Sequence, residues 1–283
     1  MRVVIDDGVR LYVDVDGMGL VPVDGKMVER PTLLLLHGGP GMDHATYKLG
    51  MHEMRDTAQV VMYDHRGNGR SDRRGPAEWT LDTWADDVVR LCDALGIEHP
   101  VVLGNSFGGF VAQRYLGRHP EHPSKVILSS TRARWVGSEA VEMFRRLGGA
   151  EAAEVADAFW NGPSSDAVRE RYREVCGPLY TRRPGNVFDS VEVVRNNELF
   201  AHWNASENKQ FDLRPDLARA ECPVLVMAGE FDPVCPMNAA EEIAAALPPE
   251  LVTFERFSHS GHGVFRDEPE RAMQVLRDFV SAT

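Results

Sequence analysis

Positive charge is in deficit in this chain: 31 Lys and Arg face 43 Asp and Glu, a net charge of −12. Surfaces for nucleic acid or for an anionic membrane need basic patches, so neither partner is expected. Cysteine is sparse. Cys92, Cys176, Cys222 and Cys235 form no C-x-x-C pair and no short disulfide framework, which reads as free thiols in a reducing compartment. No apolar run approaches the ~20 residues that span a bilayer. The N-terminal stretch MRVVIDDGVRLYVDVDG is acidic early and has no long apolar core, so it reads as neither signal peptide nor anchor. The expectation is a soluble, cytoplasmic chain whose 283 residues suit one large domain or a domain with an inserted lobe.

Several ligand signatures are also missing. His259 and His262 stand three apart, but outside the H-E-x-x-H context of a zinc site. The glycine-rich DHRGNGRS, Asp64 to Ser71, is followed by Asp72 where a dinucleotide fingerprint has its third glycine, and by no phosphate-loop lysine. Asp64 and Arg66 are read as braces of that loop. No metal site, dinucleotide fingerprint or phosphate loop is expected.

What is present is a recurring short apolar run that stops at glycines or acidic loops. Leu33 to Leu36 precedes HGGPG, Val60 to Tyr63 precedes DHRGNG, Val101 to Leu103 precedes GNSFGG, and Val224 to Met227 precedes AGEFDP; Val126 to Leu128 is a further run. Continuous short runs of this kind mark strands buried on both faces of a parallel sheet. Val9 to Gly17 alternates instead, as a strand with one wet face, and Asp24-Gly25 suggests a hairpin or loop. Leu81, Trp84, Val88, Leu91 and Leu95 recur at helical spacing, and Ala239 to Leu247 and Pro269 to Val280 read the same way. Strands alternating with helices imply an α/β fold. The rhythm breaks between about Trp135 and Asp212, where helical pieces (Glu139 to Leu147, Ala150 to Trp160, Ser165 to Val175) are separated by Gly/Pro punctuation. The expected organisation is therefore a core of residues 1–134 and 212–283 with a helical cap, 135–211, inserted.

The run GNSFGGF places Ser106 between Gly104 and Gly108 immediately after a strand. A sharp strand-to-helix turn needs neighbours without Cβ atoms, and it lifts the serine hydroxyl clear of the sheet at a helix N-terminus. Such a hydroxyl becomes a nucleophile once a base takes its proton. Asp232 in GEFDPVCP and His262 in HSGHGVF each follow an apolar run, giving the chain order Ser, Asp, His of a hydrolase triad. Glu230 is the rival acid and His259 the rival base. An oxyanion needs donors: the N–H of Phe107, after the nucleophile, is one, and the loop His37 to Gly41 should supply the other.

HGGPG, DHRGNGRS, GNSFGG, GEFDP and SGH together resemble the proline iminopeptidase branch of the α/β-hydrolase superfamily. The resemblance implies a mostly parallel eight-stranded sheet with helices on both faces, a helical cap, no cofactor, a Ser106–His262–Asp232 triad, and Gly39 with Phe107 as oxyanion donors. In that branch, cap glutamates bind the free amine of an N-terminal proline, one of them in a stretch like R-I-E-N-H. Here Arg195-Asn196-Asn197-Glu198-Leu199 puts Asn197 in register and Glu198 one place off, and no Trp-x-x-Trp-Glu stretch is present. Glu198 and Glu207 are the carboxylates left as candidates for substrate binding, with Trp160 and Trp203 as candidate apolar contacts. An ammonium entering a partly buried pocket needs a paired carboxylate, so the departure favours a carboxylic ester or lactone hydrolase. A prolyl aminopeptidase or amidase acting on short peptides stands second, and a binding module or lyase on the same fold third. Oligomeric state is left open, with a homo-oligomer as one outcome.

Overall fold

The computed structural model describes residues 1–6, 8–163, 165–185 and 191–282. Ten strands were found among them: β1 (Arg2–Asp6), β2 (Val9–Asp16), β3 (Leu20–Val23), β4 (Lys26–Glu29), β5 (Thr32–Leu36), β6 (Gln59–Tyr63), β7 (Val101–Asn105), β8 (Lys125–Ser129), β9 (Val224–Gly229) and β10 (Val252–Phe257). Eight form one sheet in the order β1-β2-β6-β5-β7-β8-β9-β10, with β3 and β4 paired apart from it. The two pairings that involve β2 are antiparallel; all others in the sheet are parallel. The hairpin β3–β4 turns at Asp24-Gly25, both at positive φ (48° and 77°), as a tight two-residue turn requires.

The central strands are buried along nearly their whole length because both faces are covered. Leu34, Leu36, Val61, Val102 and Leu128 pack into one core with Trp84, Val88 and Leu91 of α2 (Leu81–Leu95) and Val111 and Leu116 of α3 (Phe107–Arg118). Their sequence neighbours Leu33, Leu35, Val60, Leu103 and Ile127 point the other way, into a core closed by Met51 and by Met273 and Leu276 near the C-terminus. Period-two alternation thus divides one apolar run between two cores. Thr80 caps α2 by accepting the Thr83 N–H, and Gly96 ends it in the left-handed conformation.

The remaining helices are, in chain order, α1 (Ala45–Met51) before α2, then α4 (Gly137–Trp160), α5 (Asp166–Val175), α6 (Asn197–Ala205) and α7 (Arg214–Leu217) between β8 and β9, and α8 (Met237–Ala246), α9 (Val264–Asp267) and α10 (Pro269–Ser281) after β9. The two helical pieces expected on either side of residue 149 form one run, broken at Gly149, whose φ is 79°. An antiparallel bridge joins Arg134 to Asp212, so the chain leaves and re-enters the sheet layer at one place. Between those points Phe144, Ala152, Ala156, Tyr172 and Cys176 form a small core of their own, resting on Val234 and Cys235. Among the described residues, no helix is long and apolar enough to cross a membrane.

Candidate active site

Ser106 occupies the turn between β7 and α3 with φ 52° and ψ −116°, a backbone conformation that a residue with a Cβ adopts only under strain. The glycines around it answer to close approach. A Cβ on Gly108 would lie 2.0 Å from the Leu36 carbonyl oxygen, and one on Gly104 would lie 2.5 Å from that of Gly108. Neither backbone can retreat, because both belong to the sheet and helix that meet there.

The structure brings the three residues expected to work together into one hydrogen-bonded chain. His262 Nε2 lies 2.9 Å from Ser106 Oγ, and His262 Nδ1 lies 2.9 and 2.8 Å from the two carboxylate oxygens of Asp232. A carboxylate beside Nδ1 selects the tautomer with its proton there, which leaves the Nε2 lone pair to accept the serine O–H. Asp232 is fully buried, and its Oδ1 also accepts the backbone N–H of Val234 and of Cys235, each at 2.8 Å. The rivals stand elsewhere. His259 is exposed, and Glu230 lies two residues before the acid that the imidazole engages.

Two residues hidden from sequence reasoning hold the histidine loop. The carbonyl of Tyr180 accepts the His262 N–H at 2.8 Å and the Arg266 guanidinium at 2.9 Å, and the Tyr180 ring stands edge-on to the imidazole at 5.3 Å. Asp267 accepts from the Gly261 N–H (2.7 Å), the Thr181 hydroxyl (2.5 Å) and the Arg182 N–H (3.0 Å). The inserted segment is thereby bonded to the loop that carries His262.

On the other side, the HGGPG loop is set by a buried histidine. His37 Nε2 accepts the His65 N–H at 3.2 Å, so Nδ1 carries the proton and donates to the Gly38 carbonyl at 3.0 Å. In a trans peptide the C=O and the following N–H point in opposite directions. Anchoring the Gly38 carbonyl therefore fixes where the Gly39 N–H aims. Gly39 has φ 73°, a value that favours glycine. The Gly38 N–H is itself engaged, donating to the Tyr47 hydroxyl at 3.1 Å. Phe107 is the first residue of α3, where a backbone N–H has no partner within its helix. Complete burial pushes His37 down to about 4, which keeps the ring neutral and its tautomer fixed at ordinary pH.

Asp64 and Arg66 brace the next loop, in separate networks. Asp64 accepts from the His44 N–H at 3.0 Å and from the Arg70 Nε at 2.8 Å. Burial would raise its carboxyl; the contacts to His44 and Arg70 outweigh that and hold it well below the usual range. Arg66 forms a two-pronged pair with buried Asp87 at 2.8 and 2.7 Å.

Ser106 and His262 open into a cavity of about 500 Å3. Its apolar wall includes Met42, Phe159, Trp160, Tyr172, Phe200 and Phe265. Trp160 is thus on the wall, with its indole N–H bonded to the Tyr172 hydroxyl at 3.0 Å. The other three substrate-binding candidates are not. Trp203 is 2% exposed and packs on Phe107 (5.2 Å) and Trp84 (5.9 Å) in the core beneath α3. Glu207 turns away to accept the Leu81 N–H at 2.8 Å, at the N-terminus of α2, where the helix dipole favours an acid. Glu198 is exposed, because burying Leu199 and Trp203 rotates α6 so that Asn197 and Phe200 face the cavity instead.

One group of potential metal donors occurs among the described residues: Asp232, Cys235 and His262, with ligand atoms within 4.8 Å of one another. The donor chemistry does not suit an ion. The carboxylate already accepts two backbone N–H groups and the imidazole, and burial pushes the Cys235 thiol well up, away from the thiolate a metal needs.

Comparison with known proteins fits this architecture. An α/β hydrolase fold family matches residues 31–154, and a TAP-like protein family matches residues 188–281. Proline iminopeptidase PfmaB of Pestalotiopsis fici is 28% identical over 267 residues, covering 89% of this chain and 93% of that protein. The structure of proline iminopeptidase from Mycobacterium smegmatis has a TM-score of 0.80 at 22% identity, covering 99% of this chain and 97% of that one. An esterase from Exiguobacterium antarcticum has a TM-score of 0.75 at 21% identity, covering 100% and 99%. With its strand order, its serine at the turn after β7 and these matches, the chain has the α/β hydrolase fold and is similar to the proline iminopeptidases.

Proposed function

We propose that this hydrolase cleaves carboxylic esters or lactones through an acyl-enzyme on Ser106, with 135–211 acting as a cap over the site. The observation that carries the reading is the hydrogen-bonded chain from Ser106 Oγ through His262 to buried Asp232. Ser106 Oγ bonds to the substrate carbonyl carbon as its proton passes to His262 Nε2, and the carbonyl electron pair moves onto oxygen. The N–H groups of Gly39 and Phe107 receive that oxyanion. Collapse breaks the carbon–oxygen bond to the alcohol, which leaves with the proton from Nε2. Water repeats the sequence on the acyl-enzyme, restoring Ser106 and releasing the acid. Asp232 orients the imidazole and stabilises its charged form. In a lactone the leaving alcohol remains attached to the acyl group.

Release of N-terminal residues from peptides is the second reading, favoured by the similarity to proline iminopeptidases. It meets a charge problem. Asp166 is the one carboxylate on the described cavity wall, and it is paired with Arg169. Nothing there is arranged to receive a substrate ammonium. Fluorophosphonate labelling, followed by rate measurements on a short-chain aryl ester and on proline 4-nitroanilide, tests both readings. Labelling at Ser106 with faster ester turnover is expected. Absence of labelling would end the acyl-enzyme reading, and faster anilide turnover would put the aminopeptidase first.

A further inference from the structure

The cavity wall carries charge of the opposite sign to the molecule. In a chain of net charge −12, the residues lining the space above Ser106 include four arginines, Arg169, Arg173, Arg195 and Arg266, against the single carboxylate of Asp166. The four differ in what already holds them. Arg169 is engaged by Asp166 on its own helix. Arg266 donates to the Tyr180 carbonyl at 2.9 Å. The guanidinium groups of Arg173 and Arg195 make no ion pair and no hydrogen bond among the described residues. They come from different elements, Arg173 from the last turn of α5 and Arg195 from the stretch before α6.

Several arginines elsewhere are paired: Arg66 with Asp87 and Glu78, Arg70 with Asp64, Arg118 with Asp82 and Asp86. With twelve more acidic than basic side chains, unpaired guanidinium groups on a concave wall are not for want of partners. Tyr172, one residue before Arg173, belongs to the apolar wall, as do Phe159 and Phe200. The lining therefore combines an apolar middle with cationic groups, and a nucleophile shares the same space.

We propose that the substrate is an ester or lactone whose acyl part carries an anionic group, a carboxylate, remote from the scissile carbonyl, received by Arg173 and Arg195. The inference rests on the ester-hydrolase reading above. A guanidinium presents planar paired donors that match a carboxylate, and the field of a concave wall with low-dielectric sides draws in a counter-charge. The same wall repels the ammonium that an aminopeptidase must admit.

The test uses three 4-nitrophenyl esters of similar length: the mono-ester of glutaric acid, the neutral valerate, and the ester of 4-trimethylammoniobutyrate. The glutarate mono-ester is expected to exceed the valerate in kcat/KM by about tenfold or more at low salt, with the cationic ester slowest; the advantage should shrink as salt screens the charges. In the double variant Arg173→Glu/Arg195→Glu the ratio of anionic to cationic turnover should invert, a change that general loss of packing would not produce. Far-ultraviolet circular dichroism checks that the variant is folded. Calorimetric binding of the glutarate and valerate esters to Ser106→Ala reads the preference without chemistry. If wild type turns over no ester but Ser106→Ala still binds the glutarate form more tightly, the anion site stands and the ester-hydrolase reading falls. If esters are cleaved but the valerate equals or exceeds the glutarate form in turnover and in binding, the anion site is overturned and the hydrolase reading stands.

Discussion

Arg66 and Arg195 carry the same guanidinium in opposite circumstances. Arg66 is buried between Asp87, at 2.8 and 2.7 Å, and Glu78, beneath the loop that follows β6. Arg195 is exposed on the cavity wall with no partner among the described residues. The first is fully committed within the fold, and removing it would leave buried Asp87 with Arg90 as its remaining partner. The second contributes little to folding and is available to whatever enters. The same contrast holds for the two regions they represent. Around Ser106, most polar groups of the sheet-borne loops are fixed by two or three bonds; on the wall supplied by α5 and α6, side chains such as Phe200, Asn197 and Arg173 are fixed mainly by the setting of their helices.

The sharpest way to break this contrast is at the site itself. Ser106→Ala should reduce ester kcat by about 10^4 to 10^6, and Asp232→Asn by about 10^4, because the amide selects the wrong imidazole tautomer. A loss below tenfold in either, measured by initial rates, would remove the sheet-borne loops from the chemistry. Next in size is the arginine pair. Arg66→Met should cost about 3 kcal/mol in urea unfolding by removing the two-pronged partner of buried Asp87 and leaving it Arg90 alone, whereas Arg195→Met should stay within about 0.5 kcal/mol. Equal effects would abolish the distinction.

Acidification tests the buried side alone. The His37 imidazole is pushed down to about 4 in the folded protein, while in the unfolded chain it keeps an ordinary value near ~6.5. Between those values the unfolded state binds the extra proton, so stability falls as pH is lowered through this window. The contribution is about 2 kcal/mol between pH 7 and pH 5. His65, also buried and held well below its ordinary value, acts in the same direction. Urea midpoints at the two pH values read the loss, and a His37→Asn variant should show a shallower slope. Smallest is Glu207→Gln. It should lower stability by about 0.5–1 kcal/mol through the N-terminus of α2 and leave KM for a neutral ester unchanged. A raised KM would return Glu207 to the substrate.

The sheet was legible because its strands are short, apolar and buried on both faces, and each stops at a loop of special composition. GNSFGG, GEFDP and SGH marked the strand ends at which Ser106, Asp232 and His262 meet. The wall formed by α5 and α6 was harder because it depends on helix rotation. Glu198 looked suitable from its neighbours in the sequence, yet Leu199 and Trp203, four apart, set the buried face of α6 and carry Glu198 outward. That spacing was present in the sequence and would have excluded Glu198. Tyr180 and Asp267 were not legible at all. They act through a backbone carbonyl and through contacts 85 or 86 residues apart, which no local pattern encodes.

The turn at Ser106 has a consequence for how this protein can change. A side chain held at φ 52°, ψ −116° costs roughly 1–3 kcal/mol that glycine would not incur. Mutants sorted only for survival on heating would be drawn toward glycine at that turn and would lose the hydroxyl on the way. With Ser106 as the proposed nucleophile, heat tolerance and turnover oppose each other at this residue, and a thermostabilising search has to be run with substrate present if the hydrolase is to emerge intact.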